Sequence, residues 1–275
     1  MKLKYILKIS RPRFWFYLIG PYLLGLAASY PDISNLWATA LFGLYFTFPG
    51  NLLVYGINDI FDFETDKLNP KKEEYEHKVK PEQRKYLYSL IAIINLPFFF
   101  LLISAPVFAV YSFLAFLFFS IFYSAEPIRA KTKPFLDSFF NVLYIFPGFF
   151  AYFLTGGTRF NFLVFLAGTC WVMAMHAYSA VPDIESDLKS GIETIATKLR
   201  TKQTLLFCLL MYLLSAGLSY PYLKYMSLFF GLIYSILILI SIHKLDGGIM
   251  QVYKYFPWVN TSIGFIIFWY LILFS

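Results

Sequence analysis

The sequence predicts an all-α integral membrane protein, and three observations support this fold class. Of the 275 residues, 59% are hydrophobic and only 14% are charged, whereas soluble domains are roughly a quarter charged. Charged stretches separate apolar runs of about twenty residues, which is the length a helix needs to cross a bilayer. Lys and Arg residues also gather in every second charged stretch, as expected for loops that share one side of a membrane.

Nine transmembrane spans follow from these runs. The apolar runs 86–124 and 204–242 are each about twice as long as one crossing requires, so each must fold into a hairpin. Pro106 and Pro221 mark the predicted breaks. Kinks are predicted at Pro49 and Pro147, and residues 56–85 and 182–203 are predicted to form long loops. The predicted spans are 14–30, 34–55, 86–104, 106–124, 135–154, 160–181, 204–220, 222–242 and 257–274.

The distribution of charge predicts the topology. The basic segment 1–13 resembles a signal peptide, but the many later spans favour an uncleaved first transmembrane helix. With the N-terminus in the cytoplasm, 21 of the 23 Lys and Arg residues lie on the cytoplasmic side, and the C-terminus faces outward. The net charge of +7 is explained in this way without nucleic acid as a partner. We expect one multi-pass domain over residues 1–275 in the cell membrane.

An acidic motif follows the second span. This first acidic motif, Asn58-Asp59-x-x-Asp62-x-x-x-Asp66, places its side chains on about one face if the helix continues. Like charges four residues apart repel each other, and the helix C-terminus adds the negative end of its dipole. A divalent cation would remove both unfavourable terms.

A second acidic motif, Asp183-x-x-x-Asp187-x-x-x-Gly191, follows the sixth span with the same four-residue spacing. The second and sixth spans both end on the cytoplasmic side in the predicted topology, so we expect the two motifs to converge on one cavity mouth. All-oxygen ligands suit Mg²⁺. The alternative is that each motif is a solvated acidic helix end. The predicted catalytic carboxylates and metal ligands are Asp59, Asp62, Asp66, Asp183 and Asp187.

A basic stretch follows the fourth span, with the pattern Tyr123-Ser124…Arg129-x-Lys131. Basic groups beside a carboxylate-bound Mg²⁺ would complete a site for a diphosphate by neutralising its remaining oxygens. The alternative is that these residues only flank a span on the cytoplasmic side. Cys170 and Cys208 both lie in apolar spans, where they are typical of small core residues.

The two acidic motifs and the basic stretch, in this order, resemble the UbiA superfamily of intramembrane prenyltransferases. The resemblance implies a ring of nine helices around a central cavity that opens to lipid. It also implies Mg²⁺-dependent transfer of an isoprenyl group from a prenyl diphosphate to a lipophilic acceptor through an allylic carbocation, with the active site facing the cytoplasm. Tyr123 is then a further catalytic residue. The implied diphosphate-binding residues are Asn58, Arg129, Lys131, Lys72 and Lys78.

Four further segments resemble the lycopene elongase group of this superfamily, which implies a carotenoid acceptor. Prenylation of a quinone precursor, of haem or of an archaeal ether lipid shares the same motifs and stays open. His176, seven residues before Asp183, is a candidate proton acceptor or a hydrogen-bonded core residue. The four segments are 10–15, 17–23, 69–72 and 175–180.

Two other function classes are weighed against a prenyltransferase. A transporter would carry ionisable residues near the bilayer midplane, but the acidic motifs lie at predicted span ends and no inverted repeat is evident. An alcohol phosphotransferase would also use Asp residues and Mg²⁺, but its Asp-Gly-x-x-Ala-Arg pattern is absent from the sequence. Both alternatives are therefore less favoured than prenyl transfer.

Overall fold

The computed structural model describes residues 3–29, 36–61, 79–244 and 248–274, and every regular element within these ranges is helical. Short 3₁₀ turns connect several of the α-helices. The α-helices are α1 (Leu3–Ile9), α2 (Phe16–Ser29), α3 (Leu36–Thr47), α4 (Pro49–Phe61), α5 (Arg84–Leu101), α6 (Val107–Ser124), α7 (Leu136–Phe139), α8 (Phe146–Leu154), α9 (Phe162–Ala180), α10 (Ile184–Lys189), α11 (Ile195–Leu223), α12 (Tyr225–His243), α13 (Ile249–Tyr253) and α14 (Phe256–Phe274).

The all-α membrane class is confirmed by the length and apolar character of these helices. Within the described ranges, 8 helical segments are long and apolar enough to cross a membrane. The first predicted span corresponds to the shorter apolar helix Phe16–Ser29. The chain is therefore a multi-pass membrane protein, while the count of nine crossings and the orientation of the termini stay predictions. The 8 segments are Leu36–Phe61, Pro81–Ser104, Val107–Ser124, Leu136–Leu154, Phe162–Lys189, Ile195–Leu223, Tyr225–His243 and Ile249–Phe274.

The helix breaks inside the long apolar runs lie at the predicted prolines, except that one break lies three residues after its proline. The first hairpin breaks just before Val107, as predicted, and α3 gives way to α4 at Pro49. The second break was predicted at Pro221, but α11 continues through this proline to Leu223. The chain turns instead at Lys224, whose φ of 50° and ψ of −134° end the helix.

The prediction of a long loop over 182–203 was wrong. This region contains the short helix α10 and the start of α11, which begins at Ile195 and is kinked at Arg200, where φ is 64° and ψ is 171°. Thr194 caps α11, because its hydroxyl accepts from the Thr197 amide and the Thr197 hydroxyl accepts from the Thr194 amide. Such a reciprocal cap satisfies amides that a helix start leaves without partners. A rule based on apolar length missed these polar first turns.

The chain forms two compact units. Unit 1 comprises residues 1–129, 146–158 and 268–275, and unit 2 comprises residues 130–145 and 159–267. In unit 1, α8 packs on α2 and α6, and α4 packs on α5 and α6. A Cβ at Gly25 in α2 would clash with the carbonyl group of Gly148 in α8, so glycine allows these two helices to cross closely. Buried rings fill the space around Phe42, Tyr45 and Phe113.

Unit 2 is built on the packing of α9 against α11 and of α11 against α12. Its core contains stacked aromatic rings, with Tyr212 and Tyr234 4.2 Å apart at an angle of 5°. The hydroxyl of Tyr234 donates to Asn260 at 2.6 Å and accepts from the indole of Trp171 at 3.0 Å. Cys208 is buried beside this core, and both cysteines are free.

Candidate active site

The first acidic motif begins in the last turn of α4. Asn58 is partly buried, and its Oδ1 accepts a hydrogen bond of 3.0 Å from the Ser124 hydroxyl at the end of α6. The first acidic motif and the start of the basic stretch therefore meet in unit 1. Tyr123, one residue before Ser124 in α6, is partly buried.

Asp59, the next residue, points to a different neighbour. Its Oδ1 accepts from Nη2 of Arg11 at 2.8 Å, and Asp59 is only 2% exposed. The guanidinium of Arg11 also lies over the Tyr55 ring, 4.7 Å from its centroid. Successive helical residues point about 100° apart, which is why Asn58 faces α6 while Asp59 faces the N-terminal segment.

Four predicted site residues lie outside the residues that the structure describes. They belong to the segment between Phe61 and Val79. In the described ranges, no group of three or more His, Cys, Asp and Glu side chains could hold a metal ion. These four residues, Asp62, Asp66, Lys72 and Lys78, therefore keep the roles that the sequence predicts for them as expectations.

The basic stretch leaves α6 through a compact turn. The Arg129 amide donates to the Ala125 carbonyl at 2.9 Å, and its φ of 43° lies in the left-handed region. Its Nη1 lies 3.8 Å from the Glu126 carboxylate, and its side chain is partly buried while that of Glu126 is exposed. Lys131 follows in the 3₁₀ turn Ala130–Thr132 and is only 9% exposed. A basic group that deep is unusual for a residue that merely flanks a span.

The second acidic motif is carried by two short helical elements in unit 2. Asp183 ends the 3₁₀ turn Val181–Asp183, and Asp187 lies in α10. Both side chains are partly exposed. The Ile192 amide donates to the Asp187 carbonyl at 2.9 Å, and Gly191 has a left-handed φ of 67°. The predicted glycine therefore ends α10, a role for which glycine is favoured because it has no Cβ.

Asp137 is a buried carboxylate outside the predicted site residues. It lies in α7 and is 0% exposed. Its Oδ1 accepts from the Ser138 amide and its Oδ2 accepts from the Ile195 amide, both at 2.8 Å. Asp137 thus joins α7 to the first residue of α11, the helix that follows the second acidic motif. An acidic residue inside an otherwise apolar span was the signal that could have identified it.

His176 in α9 lies near the same carboxylate. Its Nε2 is 3.7 Å from Oδ2 of Asp137, and its side chain is 15% exposed. This placement gives His176 an acidic neighbour inside unit 2. Its role as a proton acceptor stays a prediction.

The fold and these side chains define a class of protein, an all-helical, multi-pass membrane protein with acidic motifs at helix ends. The profile of the UbiA prenyltransferase family matches residues 18–246. The chain therefore belongs to the UbiA prenyltransferase family and is a prenyltransferase.

Relatives of similar length support this assignment. The chain is 36% identical over 271 residues to a protein named lycopene elongase/hydratase from Haloarcula japonica, covering 96% of this chain and 90% of that protein. It is also 36% identical to a protein of the same name from Halobacterium salinarum, covering 96% and 95%. The resemblance to the lycopene elongase group is thereby confirmed.

A solved structure shares the fold. A UbiA homolog from Archaeoglobus fulgidus, determined with GPP and Mg²⁺ bound, superposes with a TM-score of 0.69 at 16% identity. The alignment covers 96% of this chain and 99% of that one. At 16% identity this comparison establishes the fold alone.

Proposed function

We propose that this prenyltransferase transfers an isoprenyl group from an allylic prenyl diphosphate to a carotenoid such as lycopene, in a reaction that depends on Mg²⁺. The observation that carries the proposal is the 36% identity to two lycopene elongase/hydratases over 96% of the chain. The whole chain acts as one prenyltransferase domain, and its active site faces the cytoplasm. The charge distribution of the sequence supports that orientation.

The donor atoms of the two acidic motifs fit Mg²⁺. Carboxylate oxygens are the ligands this ion prefers, and it commonly shares its coordination shell with substrate phosphates. Asp183 and Asp187 are partly exposed and four residues apart on adjacent helical turns. The proposed ligands are Asp62, Asp66, Asp183 and Asp187. When bound, Mg²⁺ neutralises charge that develops on the departing diphosphate.

The polar and basic residues complete the proposed diphosphate site. Asn58 is held by Ser124 at 3.0 Å and offers its amide N–H groups to phosphate oxygens. Arg129 and Lys131, with Lys72 and Lys78, supply positive charge, and Tyr123 contributes its hydroxyl. These groups favour cleavage of the allylic C–O bond because they stabilise the leaving diphosphate more than the intact substrate.

The coupling step balances without an oxidant or reductant. The allylic C–O bond breaks, a C–C bond forms between the allylic carbon and a terminal double bond of the acceptor, and the positive charge moves to the acceptor. This cation then loses a proton to give an alkene or takes up water and loses a proton to give an alcohol. The name elongase/hydratase of the relatives favours the alcohol.

The test is an assay of the purified protein in lipid nanodiscs. It contains Mg²⁺, lycopene and labelled allylic diphosphates of five, ten and twenty carbons, and products are identified by mass spectrometry. We expect labelled C45 or C50 carotenoids, free diphosphate and no product in excess EDTA. Transfer of label to a quinone precursor, haem or an ether lipid, with lycopene unchanged, would refute the carotenoid acceptor. Substrate flux across proteoliposomes without chemical change would refute prenyl transfer by this chain.

A further inference from the structure

Arg11 and Asp59 form a buried ion pair between two elements of unit 1. Nη2 of Arg11 lies 2.8 Å from Oδ1 of Asp59, and the two side chains are 13% and 3% exposed. Arg11 precedes the 3₁₀ turn Pro12–Phe14 and has a left-handed backbone with φ of 50° and ψ of 69°. A non-glycine residue in this conformation is held there by its surroundings.

The N-terminal segment, residues 3–15, contacts α4 and the residue that precedes it. The Trp15 ring lies 6.0 Å from that of Phe48, and the Phe14 ring lies 6.1 Å from that of Tyr55. The Arg11 guanidinium lies over the same Tyr55 ring. Tyr55 and Asp59 are four residues apart in α4, which places them on one helical face, and Phe48 directly precedes that helix. The ion pair is therefore the last of a row of contacts.

The position of this pair bears on the role of Asp59. A buried guanidinium requires a negative partner, because an uncompensated charge in a low-dielectric interior is costly. A second cation on the same carboxylate would lie only a few ångströms from the guanidinium, and like charges at that separation repel strongly where water is scarce. Oδ1 of Asp59 already accepts from Arg11.

We infer that Asp59 is a positioning residue that anchors the N-terminal segment to α4, and that it is not a Mg²⁺ ligand. The inference refines the proposed function, on which it rests, by removing one carboxylate from the predicted metal set. Neighbouring residues of the motif then have separate tasks. Asp59 fixes the last turn of α4 through Arg11, and Asn58 of the same turn is presented beside Ser124.

The test measures metal dependence separately from turnover. The concentration of Mg²⁺ that gives half-maximal binding of an unreactive thiolo analogue of a prenyl diphosphate is measured for each variant, together with its melting temperature in detergent. The variants are Asp59→Asn, Asp183→Asn, Arg11→Lys and the double variant Arg11→Gln with Asp59→Asn.

We expect Asp183→Asn to raise the half-maximal Mg²⁺ concentration by about tenfold or more. Asp59→Asn is expected to leave that concentration within about twofold, and to lower the melting temperature by roughly 5 °C or more because Arg11 loses its partner. The double variant, which buries no unpaired charge, should melt above Asp59→Asn. At saturating Mg²⁺ the double variant should bind the analogue several-fold more weakly than the wild type, because Asn58 is less well placed. Arg11→Lys, which keeps a cation beside Asp59, should bind the analogue more nearly like the wild type.

If Asp59→Asn raises the half-maximal Mg²⁺ concentration as much as Asp183→Asn does, the inference is overturned. If Asp59→Asn does not fold, the same comparison is made with the double variant. A double variant with unchanged analogue affinity would refute a positioning role for the pair. A lack of any shift in Asp183→Asn would instead refute the proposed metal site, while the melting temperatures of the Asp59 variants would still test the ion pair.

Discussion

The first acidic motif begins at the end of a buried helix, whereas the second lies on two short helical turns. In the first, Asp59 is 2% exposed and paired with Arg11, and Asn58 is paired with Ser124. In the second, Asp183 and Asp187 are partly exposed. Burial requires that charge be neutralised within the protein, so similar sequence spacing does not give carboxylates the same surroundings. The carboxylates of the second motif are therefore the more exposed of the two sets.

The largest expected effect follows from that difference. Replacing Asp183 or Asp187 with Asn should reduce prenyl transfer by at least about 100-fold, because a proposed Mg²⁺ ligand becomes a neutral amide. Glu185→Gln is the matched control, since Glu185 is exposed in the same short helix and should retain activity within about twofold. Initial rates with a labelled prenyl diphosphate measure the effect. Equal losses in all three variants would show that α10 depends on net charge alone.

The next largest effect concerns Asp137, which holds the start of α11 just after the second acidic motif. Asp137→Ala removes the acceptor of two buried amides, those of Ser138 and Ile195. Each amide left without a partner costs about 1–3 kcal/mol, so we expect a loss of roughly 2–5 kcal/mol and a melting temperature lower by about 5–15 °C. Asp137→Asn keeps one acceptor oxygen and should lose about half as much. Melting in detergent within about 1 °C of the wild type would contradict this role.

The sequence predicted the fold class well because it depends on apolar length and the positions of prolines. It also placed the acidic motifs at helix ends, since charged residues interrupt apolar runs there. The partners of the acidic residues were not predictable in this way. Arg11 is 48 residues from Asp59, and Asp137 is 58 residues from Ile195. Such contacts depend on how helices pack, and a single sequence gives no measure of that packing.

A smaller effect tests the packing of two helices in unit 1. Gly25→Ala places a Cβ against the Gly148 carbonyl, where α2 and α8 cross, and should destabilise unit 1 by about 1–3 kcal/mol. Gly20→Ala in the same helix is the matched control, because a Cβ there meets no atom within 4 Å. That control should be neutral or stabilise by about 0.5–1 kcal/mol. Equal melting temperatures for the two variants in detergent would contradict a close helix crossing at Gly25.

The smallest expected effect concerns the backbone of the second acidic motif at Gly191. Gly191 has a φ of 67°, and a Cβ added there would meet no atom within 4 Å, so Gly191→Ala meets only the backbone penalty. That penalty is about 1–2 kcal/mol, and Gly191→Asn should cost less because Asn adopts the left-handed conformation more readily. The Ile192 amide, which donates to the Asp187 carbonyl, shifts if the turn changes. We therefore expect Gly191→Ala to weaken Mg²⁺-dependent binding of a prenyl diphosphate analogue more than Gly191→Asn does, and equal binding by the two variants would show that the turn does not position Asp187.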